Sequence, residues 1–493
     1  MSAVQVRPCR TARPLGLCAL AAAAALLAAC TTVGPDYKQP AGAIAGKPEA
    51  AAPFEGVQAS RRSSDAASAQ PYSQDPLPAH WWRLYNDPLL DQLVSQALAH
   101  NTDLRQAAAN LERVEALEDE VQGVTKPTIG VNGGPSYGHV SGLSLLQPGY
   151  QPPNDFHYGA AAAVSYQVDL FGQLRRANEA AHASTEAASA AMDLVRVNVA
   201  AGTALAYADV CSTGLRLRSA RKSAQLQQEA VDASQRLQQA GRGSPIDVSR
   251  ARSQVQSLLA ALPPLQAQRE AAVYRLATLT GTAPQAFARE VTECVAPPQV
   301  AGAVPVGDGA ALLRRRPDIR QAEREFAAAT ARIGVAVADR YPKITLGLSA
   351  SSVGPVDDFG RRDTFAWSLG PLISWTLPNT GVADARVAQV EAGARMAAAK
   401  FDGTVLTALR ETETALSAYA HELDRHASLQ ASRSEASTVA EQARRMYQSG
   451  KVGYLDALDA ERSLASSEAA LAASDAQLAA DQVSVFLALG GGW

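Results

Sequence analysis

YQSGKVGYLDALDAER, at residues 447–462, is a glycine-marked turn between two long helical runs, and the rest of the chain is organised around it. A related stretch, LQQAGRGSPID, occurs earlier at residues 237–247. Four pairs of residues keep a separation of 209 positions: Gly241 and Gly450, Asp247 and Asp456, Gly172 and Gly381, Gly281 and Gly490. Upstream of Pro127 the separation is 215, so the first half carries a longer loop before Gly172. This repetition predicts an internal duplication of the whole chain.

Composition fits one architecture made of two similar halves. The chain has 493 residues, and a repeat of about 210 residues accounts for most of them. A net charge of −3 indicates no surface for polyanions, so no nucleic-acid partner is expected. Only 5 % of residues are aromatic and alanine is abundant, which favours closely packed helices. Five cysteines are too few for a disulfide-built fold, and the sequence leaves open whether Cys211 and Cys294 pair.

The N-terminus has the form of an export signal. Arginines precede an apolar run over residues 15–27 that is too short to span a bilayer. The run ends in Leu27-Ala28-Ala29-Cys30, which resembles a bacterial lipobox. We therefore expect residues 1–29 to be a lipoprotein signal peptide and Cys30 to become the lipidated first residue. An ordinary signal peptidase site with an incidental cysteine is the alternative.

The segment after the signal is expected to be a lipidated tether over residues 30–80. Its part from 41 to 79 is rich in Ala, Pro, Gly and Ser, which predicts an extended chain rather than a folded element. The first structural repeat is then expected at residues 81–295 and the second at 296–493.

Each repeat has helices, a β-hairpin, a long helix and a returning helix. Hairpins are predicted at about 127–171 and 342–378, where apolar residues alternate with polar or small ones. Residues 172–239 contain no proline and, at 1.5 Å per residue, predict a helix of about 100 Å; residues 381–449 predict its copy. Helices this long with alanine-rich stripes need lateral neighbours, most simply other copies of the chain. The returning helices are expected to run to about Gly281 and Leu489.

No motif for catalysis, metal binding or nucleotide binding is present in the sequence. The seven histidines are scattered, and there is no phosphate-binding glycine loop or Gly-x-Ser-x-Gly elbow. We therefore expect no enzymatic activity, no metal and no cofactor beyond the covalent lipid on Cys30.

The strands favour a membrane barrel over a soluble sheet. Four strands cannot close a barrel, since membrane barrels need about eight, whereas three copies would supply twelve. A soluble β-sandwich is the alternative, but it leaves the long helices unexplained.

Five groups of residues carry a resemblance to a known family. They are CTTVGPDY at 30–37, WW at 81–82 with DP at 87–88, DLFG at 169–172, LLRRRPDI at 312–319, and ALGGGW at 488–493. Together they resemble the outer membrane efflux protein family, and within it the NodT-type lipoprotein branch that serves resistance-nodulation-division pumps, relatives of the TolC channel. The chain departs from that pattern in the segment 41–79, and in Ser165-Tyr166-Gln167, where relatives often have a Trp-Glu pair.

The resemblance implies an α+β membrane protein that forms a homotrimer. Three chains, each an internal duplication, would build a 12-stranded transmembrane β-barrel continuous with an α-barrel tunnel of long helices. The implied location is the bacterial outer membrane, lipid-anchored and extending into the periplasm. The implied partners are a periplasmic adaptor protein, an inner-membrane resistance-nodulation-division pump and outer-membrane lipids.

The repeated turns would then lie at the periplasmic tip of the tunnel. Gly241, Asp247 and Gly450 mark these turns, and Asp247 and Asp456 are expected to cap the returning helices. In relatives, the residues that match Leu455, Asp459 and Arg462 form the closed constriction, with a leucine plug, an aspartate ring and an arginine ion-pair latch. We therefore expect these three, with Asp456, to form a periplasmic gate. Solvated positions on the outer face of the tip are the alternative.

The function expected from these features is that of a passive exit duct for small molecules in a tripartite efflux pump. Two alternatives stay open: a duct for secreted polypeptides, and a periplasm-spanning structural lipoprotein without a pore. The sequence identifies neither the substrate nor the cognate pump.

Overall fold

A computed structural model describes residues 32–58, 71–139, 141–143, 146, 148–300, 302–375 and 380–491. The predicted signal peptide and Cys30 lie outside the described residues. The chain divides into two compact units, and each draws on both sequence repeats. The first unit contains the chain up to Lys38, Arg113–Glu186 and Glu323–Ala399; the second contains Gln39–Glu112, Ala187–Ala322 and the chain from Lys400 onward.

The order of elements occurs twice along the chain. The first series is α1 (Pro88–His100), α2 (Thr102–Gly123), β1 (Thr128–Gly138), β2 (Asp155–Val168), α3 (Gln173–Gln239), α4 (Pro245–Ala260) and α5 (Leu262–Leu279). The second series is α6 (Gly309–Arg315), α7 (Pro317–Ala338), β3 (Lys343–Pro355), β4 (Phe365–Ser374), α8 (Thr380–Gln448) and α9 (Tyr454–Ala488). The shorter elements are 3-10 turns at Ile44–Gly46, Trp81–Tyr85, Arg289–Glu293, Val356–Asp358 and Arg362–Thr364, a helix at Pro48–Ala51, and two-residue strands at Tyr72–Ser73 and Val304–Pro305.

The first unit contains one antiparallel sheet in the order β1-β2-β3-β4, so the two predicted hairpins join through β2 and β3. The end of the second predicted hairpin, at residues 376–378, lies outside the described part of the chain. Side chains alternate between the two faces. One row across the sheet is apolar: Ile129, Val164, Leu348 and Leu369. The adjacent row on the other face is small and polar: Gly130, Ala163, Ser349 and Ser368.

The apolar face of the sheet is open in the single chain. Ile129, Trp367 and Leu369 are 74 %, 68 % and 71 % exposed. An exposed apolar face of this extent needs a cover that is itself apolar, either lipid or another protein surface. The outer edges of β1 and β4 have no strand partner among the described residues.

The long helices agree with the sequence prediction. α3 has 67 residues and α8 has 69, which is about 100 Å each at 1.5 Å per residue. The first returning helix is not continuous, contrary to the prediction, because it breaks at Ala261 into α4 and α5. Pro263 and Pro264 follow the break, and proline is tolerated only in the first turn of a helix.

The second unit holds the main hydrophobic core. Trp81 stacks on Phe486 of α9 with ring centroids 4.6 Å apart, and both side chains are buried. Cys211 of α3 lies in this core and forms a disulfide with Cys294, which settles the pairing that the sequence left open.

The prediction that residues 41–79 are an extended tether is wrong for the described part of that segment. Phe54 and Tyr72 are only 3 % and 2 % exposed, and the strand Tyr72–Ser73 pairs in parallel with Val304–Pro305. The Glu413 carboxylate accepts the backbone N–H groups of residues 55 and 56 at 2.8 and 2.9 Å. A few apolar anchors in an Ala- and Pro-rich segment are enough to fold it against the second unit's helices.

Candidate functional site

Both tip turns have the same backbone geometry. Gly241 and Gly450 adopt φ values of 71° and 73°, in the left-handed region that favours glycine. After the first, the backbone N–H of Arg242 donates to the carbonyl of Leu237 at 2.8 Å; after the second, Lys451 donates to Met446 at 2.8 Å. These are Schellman-type helix ends, which satisfy the last carbonyls of α3 and α8.

The two returning helices begin differently. The Asp456 carboxylate accepts the backbone N–H of Gly453 at 3.2 Å, so this aspartate caps α9 as expected. The capping prediction is wrong for Asp247. Ser244 caps α4 by accepting the backbone N–H of Ile246, because the helix begins at Pro245. Asp247 lies in the first turn and forms an ion pair with Arg250 at 3.7 Å.

The three predicted gate residues lie on one exposed face of α9. Their spacing of four and three residues keeps Leu455, Asp459 and Arg462 on the same side of a helix. Leu455 is 56 % exposed, and the other two are also exposed. The Arg462 Nε donates to the side-chain oxygen of Gln254 at 2.9 Å. The described residues of a single chain contain no ion pair between Arg462 and Asp459.

The opposite face of α9 is buried at the tip. Tyr454 and Leu458 pack with Val231, Ala251 and Val255 in a small hydrophobic cluster. This burial fixes the rotation of α9, and therefore it holds the gate residues outward.

A pair of tyrosines that the sequence reasoning missed connects α3 to the second tip turn. Gln227 donates to the Tyr454 hydroxyl at 3.1 Å, and Ser234 lies 3.3 Å from the Tyr447 hydroxyl. Burial raises the pKa of the Tyr454 hydroxyl, and the hydrogen bond donated by Gln227 opposes this rise. Tyr447 and Tyr454 lie on either side of the glycine turn in the sequence, and this position could have identified them as a pair that stabilises the turn.

A second region of interest lies in the first unit, where β2 passes into α3. The Val33 N–H donates to the carbonyl of Phe171 at 3.1 Å, and Phe171 stacks on Tyr341 with centroids 4.5 Å apart. Gly172 has a φ of 77°, and a Cβ at that position would lie 2.5 Å from the Thr32 side chain. The chain two residues after Cys30 is therefore held at the strand-to-helix junction.

No cluster of His, Cys, Asp or Glu able to hold a metal ion occurs within the described ranges. The arrangement instead offers a sheet with one exposed apolar face, two helices of about 100 Å and an exposed face of Leu, Asp and Arg at the tip. These features are those expected of a membrane channel.

Comparisons with known proteins agree with this class. The family model described as "Outer membrane efflux protein" matches residues 93–282 and 310–491. Nodulation protein T of Rhizobium leguminosarum bv. viciae is 30 % identical over 419 residues, covering 84 % of each chain. The probable efflux pump outer membrane protein TtgC of Pseudomonas putida is 28 % identical over 483 residues, covering 97 % of this chain and 96 % of that one.

A solved structure of the outer-membrane channel OprN is 34 % identical and superposes with a TM-score of 0.85. The alignment covers 94 % of this chain and 100 % of that one. The chain belongs to the outer membrane efflux protein family, as its motifs predicted. Its location is the outer membrane, and its role is that of an efflux channel component.

Proposed function

We propose that three copies of the chain form the passive exit duct of a tripartite efflux pump for small molecules. The observation that carries this proposal is the four-stranded sheet, which exposes one apolar face and whose two outer edges have no partner strand in the described ranges. Lipid does not tolerate open strand edges, and four strands cannot close on themselves. Three copies would pair β1 of one chain with β4 of the next and close twelve strands, an even number within the range of known barrels.

The partners follow from the role. A duct without nucleotide or redox chemistry needs an energised pump, which we assign to an inner-membrane resistance-nodulation-division transporter joined through a periplasmic adaptor. The similarity to TtgC, whose name includes an efflux pump, supports this assembly. We expect no enzymatic activity and no cofactor.

We further propose that Cys30 carries a lipid that inserts beside the barrel. The contact between Thr32 and Gly172 supports this, because it leaves only one residue between Cys30 and a segment packed at the end of β2. Trp375, also near the ends of the strands, is 52 % exposed, and aromatic residues favour the membrane interface. The lipid and the apolar sheet face would therefore enter the same membrane.

The gate proposal concerns the tip. Around a threefold axis, the exposed face of α9 would bring three copies of Leu455, Asp459 and Arg462 together. Gly241 and Gly450 would shape the turns, Asp456 would cap α9, and Asp247 would stay paired with Arg250 in the first turn of α4. Three Asp459 carboxylates in a narrow ring would favour cations and repel anions. Leu455 would narrow the ring, and Arg462 would bind an acceptor on a neighbouring helix.

Planar-bilayer recording of the purified protein tests the duct and the gate together. Wild type should conduct with a preference for cations, Asp459→Ala should weaken that preference, and Leu455→Ala with Arg462→Ala should enlarge the resting conductance. Asp232→Ala is the control, since Asp232 is an exposed carboxylate on α3 near the tip. No conductance at all would mean a structural lipoprotein without a pore. Wild-type selectivity in every variant would mean that the gate lies elsewhere.

A further inference from the structure

The disulfide between Cys211 and Cys294 joins two parts of the second unit that are 83 residues apart in sequence. Cys211 lies in α3 and is completely buried. Cys294 directly follows the 3-10 turn Arg289–Glu293, in the segment between the two repeats, and is partly exposed. The two residues therefore differ in exposure, and Cys294 is the one nearer the surface.

One face of α3 receives the inter-repeat segment. Residues 211, 214 and 218 are spaced three and four apart and share that face. A Cβ on Gly214 would collide with the carbonyl oxygen of Cys294, so the absent side chain allows the close approach. The Arg218 guanidinium donates to the carbonyl of Val295 at 2.8 Å. These contacts seat the segment in the place where the two sulfurs can meet.

We propose that Cys294 is the entry point for a periplasmic thiol–disulfide oxidoreductase, which reacts with it after α3 has packed into the core and before the inter-repeat segment is seated over Cys211. The inference goes beyond the duct function and needs only passage of the chain through the periplasm, where disulfides form. The chemistry of exchange sets the order of events, because a thiolate must reach a disulfide sulfur directly.

The reaction proceeds in two balanced steps. The Cys294 thiolate attacks the active-site disulfide of the oxidised oxidoreductase, which forms a mixed disulfide and releases one oxidoreductase thiolate. The Cys211 thiolate then attacks the Cys294 sulfur, which forms the intramolecular disulfide and releases the second thiolate. The chain loses two protons and two electrons, and the oxidoreductase leaves as the dithiol.

Each tip turn joins a long helix to a returning helix, and only the first of these two helical hairpins is crosslinked by a disulfide. The loop between the two cysteines contains the end of α3, the first tip turn, α4 and α5. The position 209 residues after Cys211 is Ala420, which has no thiol. A crosslink over so long a loop restricts the unfolded chain strongly, so the first hairpin gains a stability that the second must obtain from packing alone.

The test counts thiols in the full-length protein expressed with and without the cell's periplasmic dithiol oxidase. Denatured wild-type protein is alkylated with a maleimide of high mass, with and without prior reduction. We expect reduction to expose two additional thiols in the oxidase-containing strain and none in the oxidase-deficient strain. The number of thiols gained on reduction does not depend on Cys30, because Cys30 contributes equally to the reduced and unreduced samples. This test is therefore unaffected if Cys30 carries no lipid. An equal gain of two thiols in both strains would contradict the proposal.

The order of attack is tested with single variants. Cys211→Ser leaves Cys294 without its resolving partner and should accumulate the mixed disulfide with the oxidoreductase, detected on non-reducing gels. Cys294→Ser should accumulate several-fold less of this mixed disulfide than Cys211→Ser. Arg218→Ala is the control, because it removes a seating contact but keeps both thiols, and it should still form the intramolecular bond. Equal amounts of mixed disulfide in the two serine variants would overturn the assignment of Cys294 as the entry point. If either variant fails to accumulate, the thiol count of the wild-type protein still decides whether the oxidoreductase installs the bond.

Discussion

Asp481 of α9 is an acidic residue that the fold buries, with 9 % of its surface exposed. Burial raises the pKa of this carboxyl, the hydrogen bond from Gln477 at 2.8 Å opposes the rise, and the nearby charge of Glu422 adds to it. A raised carboxyl pKa means that the folded chain holds the proton more tightly than the unfolded chain. The stability contributed at this site is therefore complete below the unfolded pKa and is lost as the pH rises through the folded pKa.

The substitution Asp481→Asn should remove this pH dependence. Asparagine can still accept the bond from Gln477 but carries no charge beside Glu422, so the variant should melt a few degrees above wild type at pH 7.5. The advantage should shrink as the pH falls through the folded pKa, because the wild-type carboxyl then takes up a proton. Thermal unfolding followed by circular dichroism measures both. Asp424→Asn, an exposed change on α8, is the control and should differ little from wild type at either pH. An advantage of Asp481→Asn that persists at low pH would contradict the argument.

Single residues were predictable where their partners are close in sequence. The capping role of Asp456 depends on a backbone group three residues away, and its spacing was sufficient to predict it. The capping prediction for Asp247 was wrong because Ser244, three residues earlier, caps α4 instead. The pairing of Cys211 with Cys294 depends on the path of the inter-repeat segment, which no local pattern contains.

Among the elements, α7 has a close contact that depends on a glycine. A Cβ on Gly334 would lie 2.7 Å from Cγ of Arg176 and 2.8 Å from the carbonyl oxygen of Val33. Arg176 is buried and holds the N-terminal segment through Asp36 at 2.6 Å. The missing side chain thus lets the segment after Cys30 lie directly on the helix.

Gly334→Ala should therefore destabilise the protein, by about 1–3 kcal/mol as for other overpacked sites. Gly393→Ala on α8 is the matched control, because nothing lies within 4 Å of its added Cβ. Relief of glycine's poor helix propensity should make that variant equal to wild type or slightly more stable, by up to about 1 kcal/mol. Thermal midpoints of the two purified variants measure the difference. Equal midpoints would mean that the N-terminal segment does not constrain α7.

Elements with a regular pattern were predictable, and those with distant partners were not. The long helices follow from uninterrupted runs without proline, and the strands follow from period-two alternation. The break at Ala261 had a local signal in Pro263 and Pro264, which the prediction of a returning helix to about Gly281 did not use. The folded part of 41–79 was missed because its average composition conceals isolated anchors such as Phe54.

At the scale of the whole molecule, a single chain cannot be complete. Its sheet ends in two unpaired edges, and its apolar face has no cover among the described residues. The sequence pattern predicts the number of strands per chain and which face is apolar, but closure into a barrel depends on neighbouring copies. The anchoring of the protein can therefore be divided between the proposed lipid on Cys30 and the sheet, and the two contributions can be tested separately.

Cys30→Ala should lose lipid labelling yet stay largely in the outer membrane, because the barrel is an independent anchor. In that background, Leu369→Arg should reduce outer-membrane recovery strongly, since an arginine on the lipid face near the bilayer midplane costs about 2–4 kcal/mol per chain. Ser368→Arg is the matched control: Ser368 is the preceding residue of β4, faces the opposite side and lies 2.8 Å from the Ser349 hydroxyl. Its side chain would enter a wide polar lumen, so the protein should remain in the membrane. Membrane fractionation measures all three variants. Complete loss of Cys30→Ala from the membrane, or equal loss of the two arginine variants, would mean that the apolar face does not meet lipid.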